Sequence, residues 1–362
     1  MSIEVQKPGL LTTLQDAGRY GYQRHGVLVS GAMDPFALRV ANLLVGNRET
    51  EAVLEITLQG PVLRFEKETL VAICGASLSP RLDGEAVSEW QAIRVQAGSV
   101  LEFGRAEAGC RAYVAVAGGF DVPPVMGSKS TFLRGKLGGF EGRALKAGDI
   151  LPIGRTLTRR ELYGKSAGAF SDEGKGVGSQ ESGGGFQGIR EFRPKKDDSN
   201  CRQFVSWKLF PKYAEQPTVR VLRGNQFDAF SAEAQERFFS EPFLVTPQSD
   251  RMGYRLQGPE LSLSAPLEMI SEAVTMGTVQ VPPDGNPIVL MADRQTTGGY
   301  PKIAQVATVD LPVMAQLKPG DRVRFQEIGL EEAQQLYLQR ERDLQILQVG
   351  LELARRGSHV SH

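Results

Sequence analysis

Histidine is scarce in this sequence: there are three among 362 residues, and two of them, His359 and His362, sit in a polar C-terminal tail. Only His25 lies where a folded site could use it, and a general base needs a positioned partner that no neighbouring pattern supplies. A Ser-His-Asp triad and a His-rich metal centre are therefore poorly provided for, and no metal site is expected. Acid–base chemistry must rest on Asp, Glu, Lys, Tyr or His25. Cysteine is equally sparse. Cys74, Cys110 and Cys201 lie far apart and are odd in number, which argues against a disulfide framework or a thiolate zinc site. An excess of one charge is missing too, with 42 Lys plus Arg against 42 Asp plus Glu. Nucleic-acid binders carry a basic excess or stripe, so no nucleic-acid partner is expected. No apolar run reaches the roughly 20 residues of a membrane span. Residues 1–6 lack the basic and then apolar regions of a secretory signal. A cytoplasmic protein with no membrane partner is the expectation.

What is present centres on Asp293-Arg-Gln-Thr-Thr-Gly-Gly-Tyr-Pro-Lys302. It lies between two apolar runs, 287–292 and 303–309, that read as buried strands. A hairpin needs only a few turn residues, yet this segment carries Asp293, Arg294, Gln295, Thr296, Tyr300 and Lys302. Its glycines, Gly298 among them, allow close approach of a ligand or a positive φ. Polar groups on a loop between rigid strands are a common way to build a site; a satisfied polar turn is the alternative.

Residues 7–34 form a second polar, glycine-bearing stretch, expected to be irregular, with Thr12, Gln15, Asp16, Arg19, Ser30 and Gly31 as its candidates. Asp34-Pro35 opens a helix that ends at Gly46-Asn47, with Asp34 as N-cap. Short strands are expected at 53–58, 62–65, 70–74, 78–82, 92–95, 100–103 and 112–117, a spacing that suggests a barrel or sandwich. Gly127-Ser-Lys-Ser-Thr131 has short side chains for an anion but not the spacing of a P-loop, and a hydroxyl-rich turn is the commoner reading. Three segments echo one another around Gly98, Gly148 and Gly320, each reading as a turn that starts a strand. A second echo pairs Ser30-Gly-Ala-Met-Asp with Ser249-Asp-Arg-Met-Gly, which adds Ser249, Asp250 and Arg251 to the candidates. Gln280 falls in a strand ending at Pro-Pro-Asp-Gly. Residues 164–203, with the triple glycine 183–185, have flexible-linker composition. Residues 227–239 read as a helix capped by Ser231. A long helix is expected from Leu330 to Arg356, with acids at its start and Arg355 and Arg356 near its end, docked on the barrels or on a partner chain. The resulting division is a first β half over 1–163, the linker over 164–203, a second β half over 204–328 and the helix over 329–357.

Pro8-Gly-Leu-Leu-Thr-Thr-Leu-Gln-Asp-Ala-Gly-Arg19, Ser30-Gly-Ala-Met-Asp34, Leu54-Glu-Ile-Thr-Leu58, Ala115-Val-Ala-Gly-Gly119, Ser249-Asp-Arg-Met-Gly253 and Asp293-Arg-Gln-Thr-Thr-Gly-Gly-Tyr300 recur in this order in a known family. The sequence resembles the family of the 5-oxoprolinase C subunit, or Kip-inhibitor antagonist family, which is allophanate-hydrolase-subunit-2-like and related to the carboxyltransferase domain of biotin-dependent urea carboxylase. The resemblance covers residues 3 to about 325 and leaves out the Gly/Ser stretch. It implies a mainly β fold of two cyclophilin-like β-barrel halves. It also implies ATP-dependent opening of the 5-oxoproline lactam to glutamate, with A and B subunits as partners and ATP, with Mg, shared among them. From the matching motifs, Arg19, Arg251, Arg294 and Lys302 are candidate clamps for developing negative charge, and Asp16, Asp250, Asp293 and Tyr300 are candidate proton carriers. Thr12, Gln15, Ser30, Gly31, Ser249, Gln280, Gln295, Thr296 and Gly298 are candidate substrate contacts. Two other functions fit the resemblance. One is biotin-dependent carboxyl transfer; with no Met-Lys-Met motif here, biotin would arrive on another protein. The other is a non-catalytic role, binding a Kip-inhibitor-like protein that controls a histidine kinase.

Overall fold

The computed structural model describes residues 1–156, 211 and 213–359. The linker expected over 164–203, with its triple glycine, lies outside the described residues. The first half is built from two antiparallel sheets. One runs in the order β11 (Ile150–Pro152), β1 (Ser2–Lys7), β4 (Val62–Phe65), β9 (Val100–Glu102), β6 (Arg81–Leu82) and β7 (Glu85–Ala86). The other runs β2 (Leu11–Gln15), β3 (Val53–Thr57), β10 (Ala108–Val116), β5 (Thr69–Ser77) and β8 (Ala92–Val95). Period-2 alternation sorts their side chains. Val71, Ile73, Val114 and Val116 point into the core between the sheets, beside Ile3, Val5, Leu63 and Phe65. Ala72, Cys74, Tyr113 and Ala115 point the other way.

That outer face is covered by helix α1 (Pro35–Val45), which places Phe36, Leu38, Val40, Ala41 and Leu44 on it. Burying each large side chain there stabilises by about 1.5–3 kcal/mol. The helix begins and ends where the sequence indicates. Asp34 Oδ1 accepts the Ala37 amide at 2.9 Å, and Gly46 takes a left-handed C-cap with φ of 80°.

The second half is a closed barrel: β12 (Thr218–Arg223), β19 (Lys302–Val306), β16 (Thr278–Gln280), β17 (Ile288–Leu290), β14 (Gly253–Gln257), β13 (Phe243–Val245) and β20 (Arg322–Glu327). Parallel pairing of β20 with β12 closes the ring. Val219, Val221, Val279, Val289, Ile303 and Phe325 share its core. Helix α2 (Ala232–Ser240) packs on it by stacking Phe238 on Phe325, with ring centroids 4.7 Å apart. A short helix, α3 (Leu311–Ala315), leads toward the first half.

The expected mainly β architecture, with its few helices, barrel and C-terminal helix, is present. The three echoed turns share one geometry: Gly98, Gly148 and Gly320 have φ of 87°, 87° and 97°. Their amides bond back to Phe65, Val5 and Val245, and β9, β11 and β20 follow. Glycine is needed there because a Cβ disfavours positive φ.

Three expectations need correction. Residues 7–34 are not irregular throughout: Leu11–Gln15 is edge strand β2, paired with β3, and its polar Thr12, Thr13 and Gln15 are buried beneath neighbouring segments. Residues 227–239 do not make one helix, because Phe230 turns extended and Ser231 caps a new start by accepting the Ala234 amide at 3.1 Å. Gly298 has no positive φ and faces no open space. A Cβ there would lie 2.3 Å from the Gln280 amide nitrogen, so the glycine serves packing. With Thr297 it forms strand β18, paired with β15 (Glu272–Ala273).

The long helix α4 (Leu330–His359) docks on α1. Leu344 and Leu351 join the α1 cluster, Glu341 takes a bidentate bond from Arg39 at 2.6 and 2.8 Å, and Arg355 reaches the Leu43 and Leu44 carbonyls at the end of α1. Its other side leaves Leu338, Ile346, Val349 and Leu353 exposed. Among the described residues no helix is long and apolar enough to cross a membrane.

Candidate functional site

A buried polar network joins the two halves. Gln316, just after α3, accepts the Cys110 and Arg111 amides at 3.0 and 2.9 Å and donates to Asp34 Oδ2 at 3.0 Å. Arg111 donates to the Ala315 carbonyl at 2.6 Å and to the Tyr254 hydroxyl. The Tyr113 hydroxyl donates to Glu55 Oε2 at 3.0 Å and accepts the Asp34 amide at 2.8 Å. At the centre stands Arg251, which the turn Asp250–Gly253 of the second half delivers across the interface. It donates to Asp293 Oδ2 at 2.9 Å, to the Gly31 carbonyl at 2.6 Å and to Glu55 Oε1. Burial works against the Arg251 charge, but Glu55 and Asp293 outweigh it and hold the guanidinium above its ordinary pKa. Asp34 is pushed up by burial in spite of its bonds to Ala37 and Gln316.

Against this network lies the first-half loop. Asp16 is a structural node. Its carboxylate accepts the Ser128 and Ser130 hydroxyls and the Gly18 and Lys129 amides, which draws the turn at 127–131 over β2. Arg19, 1% exposed, donates from Nε to the Val125 carbonyl and from Nη2 to that of Ser130, both at 2.9 Å. Among the described residues its Nη1 has no partner. Burial lowers its pKa, with Asp16 and Asp293 opposing. Gln15 donates to Thr13 and Thr131, and among the described residues its Oε1 and the Ser30 Oγ are unpaired. Arg294 is half-buried, held among the described residues by long bonds to the Val274 and Met291 carbonyls, and burial lowers its pKa against an opposing effect of Tyr20.

The remaining candidates sit elsewhere. Thr12 donates to the Pro8 carbonyl at 2.7 Å inside the sheet edge. Ser249 and Asp250 shape an exposed turn, Asp250 accepting the Met252 amide at 2.8 Å and the Arg134 guanidinium at 2.9 Å. Lys302 Nζ pairs with Glu272 at 2.6 Å. Gln280 packs on Gly298 and donates weakly to the Tyr300 carbonyl at 3.4 Å. Gln295 is exposed, and Thr296 accepts the Val274 amide through its carbonyl at 3.2 Å. Tyr300, 44% exposed, borders a cavity of about 460 Å³ walled by Phe230, Leu263, Leu267, Met269 and Pro282. Sequence reasoning passed over Glu55, Arg111, Tyr113 and Gln316 as functional residues. The available signal was a charge inside an apolar strand, at Val53-Leu-Glu-Ile and at Cys110-Arg-Ala-Tyr.

The model of the carboxyltransferase domain, subdomains A and B, matches residues 25–327. This chain belongs to that carboxyltransferase-domain family. It is 39% identical to the C subunit of 5-oxoprolinase from Escherichia coli (strain K12) over 331 residues, 91% of this chain and 93% of that protein. Identity to the C subunit of the Haemophilus influenzae 5-oxoprolinase is 37%, over 90% of each chain. Among solved structures, the K. lactis urea amidolyase superposes with a TM-score of 0.80 at 32% identity, covering 96% of this chain. The chain spans only 20% of that much longer protein. The matched residues, 25–327, take in parts of both halves.

Proposed function

We propose that this chain is the C component of a cytoplasmic, ATP-dependent 5-oxoprolinase that opens the 5-oxoproline lactam to L-glutamate together with A and B subunits, the Kip-inhibitor-like B subunit being its direct partner. The observation that carries the reading is extent. The chain matches the C subunit of 5-oxoprolinase over 93% of that protein's length, but only 20% of the urea amidolyase. Lactam opening develops negative charge on the amide oxygen, and fixed donors at that point lower the barrier. Arg294, held among the described residues by long bonds alone, is suited to that role. Arg251 and Asp293 saturate each other and act as positioning residues. Asp16, Asp250 and Asp293 all accept protein donors; Asp250 and Tyr300 are the exposed candidates for moving a proton.

ATP does not fit the one turn of this chain that the sequence offers for phosphate. The Ser128 and Ser130 hydroxyls and the Lys129 amide all point to Asp16, and Lys129 Nζ is bound to Glu51 at 2.5 Å. The turn at 127–131 is therefore not a phosphate site of this chain.

The test is ATP- and 5-oxoproline-dependent glutamate formation with A and B subunits, with and without this chain. Loss of turnover on omission supports the reading, and equal turnover refutes it. Arg294→Ala in the full complex is expected to abolish activity while the melting temperature holds. The match to urea amidolyase favours a second reading, carboxyl transfer from biotin carried on another protein. Turnover that requires bicarbonate and a biotinylated partner would select it.

A further inference from the structure

We propose that Ser30, Gly31 and Arg19 form a binding site for a small carboxylate. Ser30 and Gly31 are consecutive residues with φ of 55° and 89°, and both are buried. Neither of their backbone N–H groups donates a hydrogen bond among the described residues, and the Ser30 hydroxyl has no partner either. Arg19 adds a fourth unpaired donor, Nη1. Buried N–H and O–H groups are almost always paired. Four unpaired donors in neighbouring segments lack one thing in common, an acceptor.

The segments are held together tightly. The Arg19 amide bonds to the Val29 carbonyl at 2.7 Å, and a Cβ on Gly31 would come within 3.0 Å of Gly18 Cα. Arg251 fixes the Gly31 carbonyl at 2.6 Å, which prevents this peptide from flipping. Gln15, whose Nε2 bonds to the Thr131 carbonyl next to the Ser130 carbonyl that holds Arg19, leaves Oε1 to accept a ligand N–H.

Charge selects among oxyanions. Asp293 and Glu55 together face Arg251, and Asp16 offsets Arg19, so Arg294 only restores neutrality. A singly charged planar carboxylate suits that balance better than a doubly charged phosphate, and it can span an amide pair and a guanidinium at once. Naming 5-oxoproline as the carboxylate rests on the proposed function; the site itself does not.

The experiment is calorimetric titration of the full chain, free and in complex with A and B subunits, with 5-oxoproline, 2-pyrrolidinone (the same ring without the carboxylate) and inorganic phosphate. Ser30→Gly removes the hydroxyl but keeps the left-handed φ, so its melting temperature should not fall. The expected result is binding of 5-oxoproline about tenfold tighter than 2-pyrrolidinone. In Ser30→Gly that preference should shrink about five- to tenfold, with a matching rise in KM for glutamate formation. Wild-type affinity in Ser30→Gly overturns the site, and so does tighter binding of phosphate than of 5-oxoproline. Turnover that needs this chain but has an unchanged KM in Ser30→Gly overturns the site and leaves the proposed function standing. Carboxylate-selective binding in a chain the complex does not need upholds the site and removes that function.

Discussion

Arg251→Met replaces a guanidinium with an unbranched apolar chain at the centre of the interface. Glu55 and Asp293, both buried, would then face each other with no cation between them, and the Gly31 carbonyl would lose its donor. Removing one partner of a buried ion pair costs about 3–5 kcal/mol, because it strands an uncompensated charge. At roughly 2 °C per kcal/mol for a large domain, the melting temperature should fall by about 6–10 °C. The assay is thermal melting followed by circular dichroism at about pH 7.5. A drop of under about 2 °C would refute the reasoning that this triad holds the halves in register.

Two further outcomes follow from the first half. Burial pushes Glu89 from 4.5 up to about 7, with Ser77 and Leu78 opposing and Glu107 adding. An acid with a raised folded pKa loses stability as pH climbs between those two values, so Glu89→Gln should be more stable than wild type at pH 8 by on the order of 3 kcal/mol, read as a higher melting temperature. The advantage should vanish near pH 4.5; a constant offset across the range would exclude titration of Glu89 as its source. Asp16→Asn should cost about 2–4 kcal/mol, since an amide replaces an ionised acceptor of four donors. Amide exchange at Lys129 should speed up markedly, and unchanged protection there would contradict the nodal role of Asp16.

Features set by single residues could be read from the sequence. The caps Asp34 and Ser231 and the glycine turns at 98, 148 and 320 were legible because few residues satisfy those geometries. Pairings across the chain were not. Glu55 meets Arg251 over a separation of 196 residues, beyond any periodic window. The second echo was more informative than its length suggested, since its two members touch through Arg251 and Gly31. Polar residues misled where a neighbouring segment buried them: Thr12, Thr13 and Gln15 resemble loop residues until the turn at 127–131 folds over them. Gly298 misled in the opposite sense, being required by the Gln280 side chain rather than by a ligand.

Helix α4 follows the last barrel strand and returns to α1, near the start of the chain, where Arg39 grips Glu341 and Arg355 covers the final carbonyls of α1. Besides the buried polar network and the backbone between them, the two halves are thus also joined by this returning clasp, in a loop that covalent connectivity alone does not close. Cutting the clasp should turn one cooperative melting transition into two.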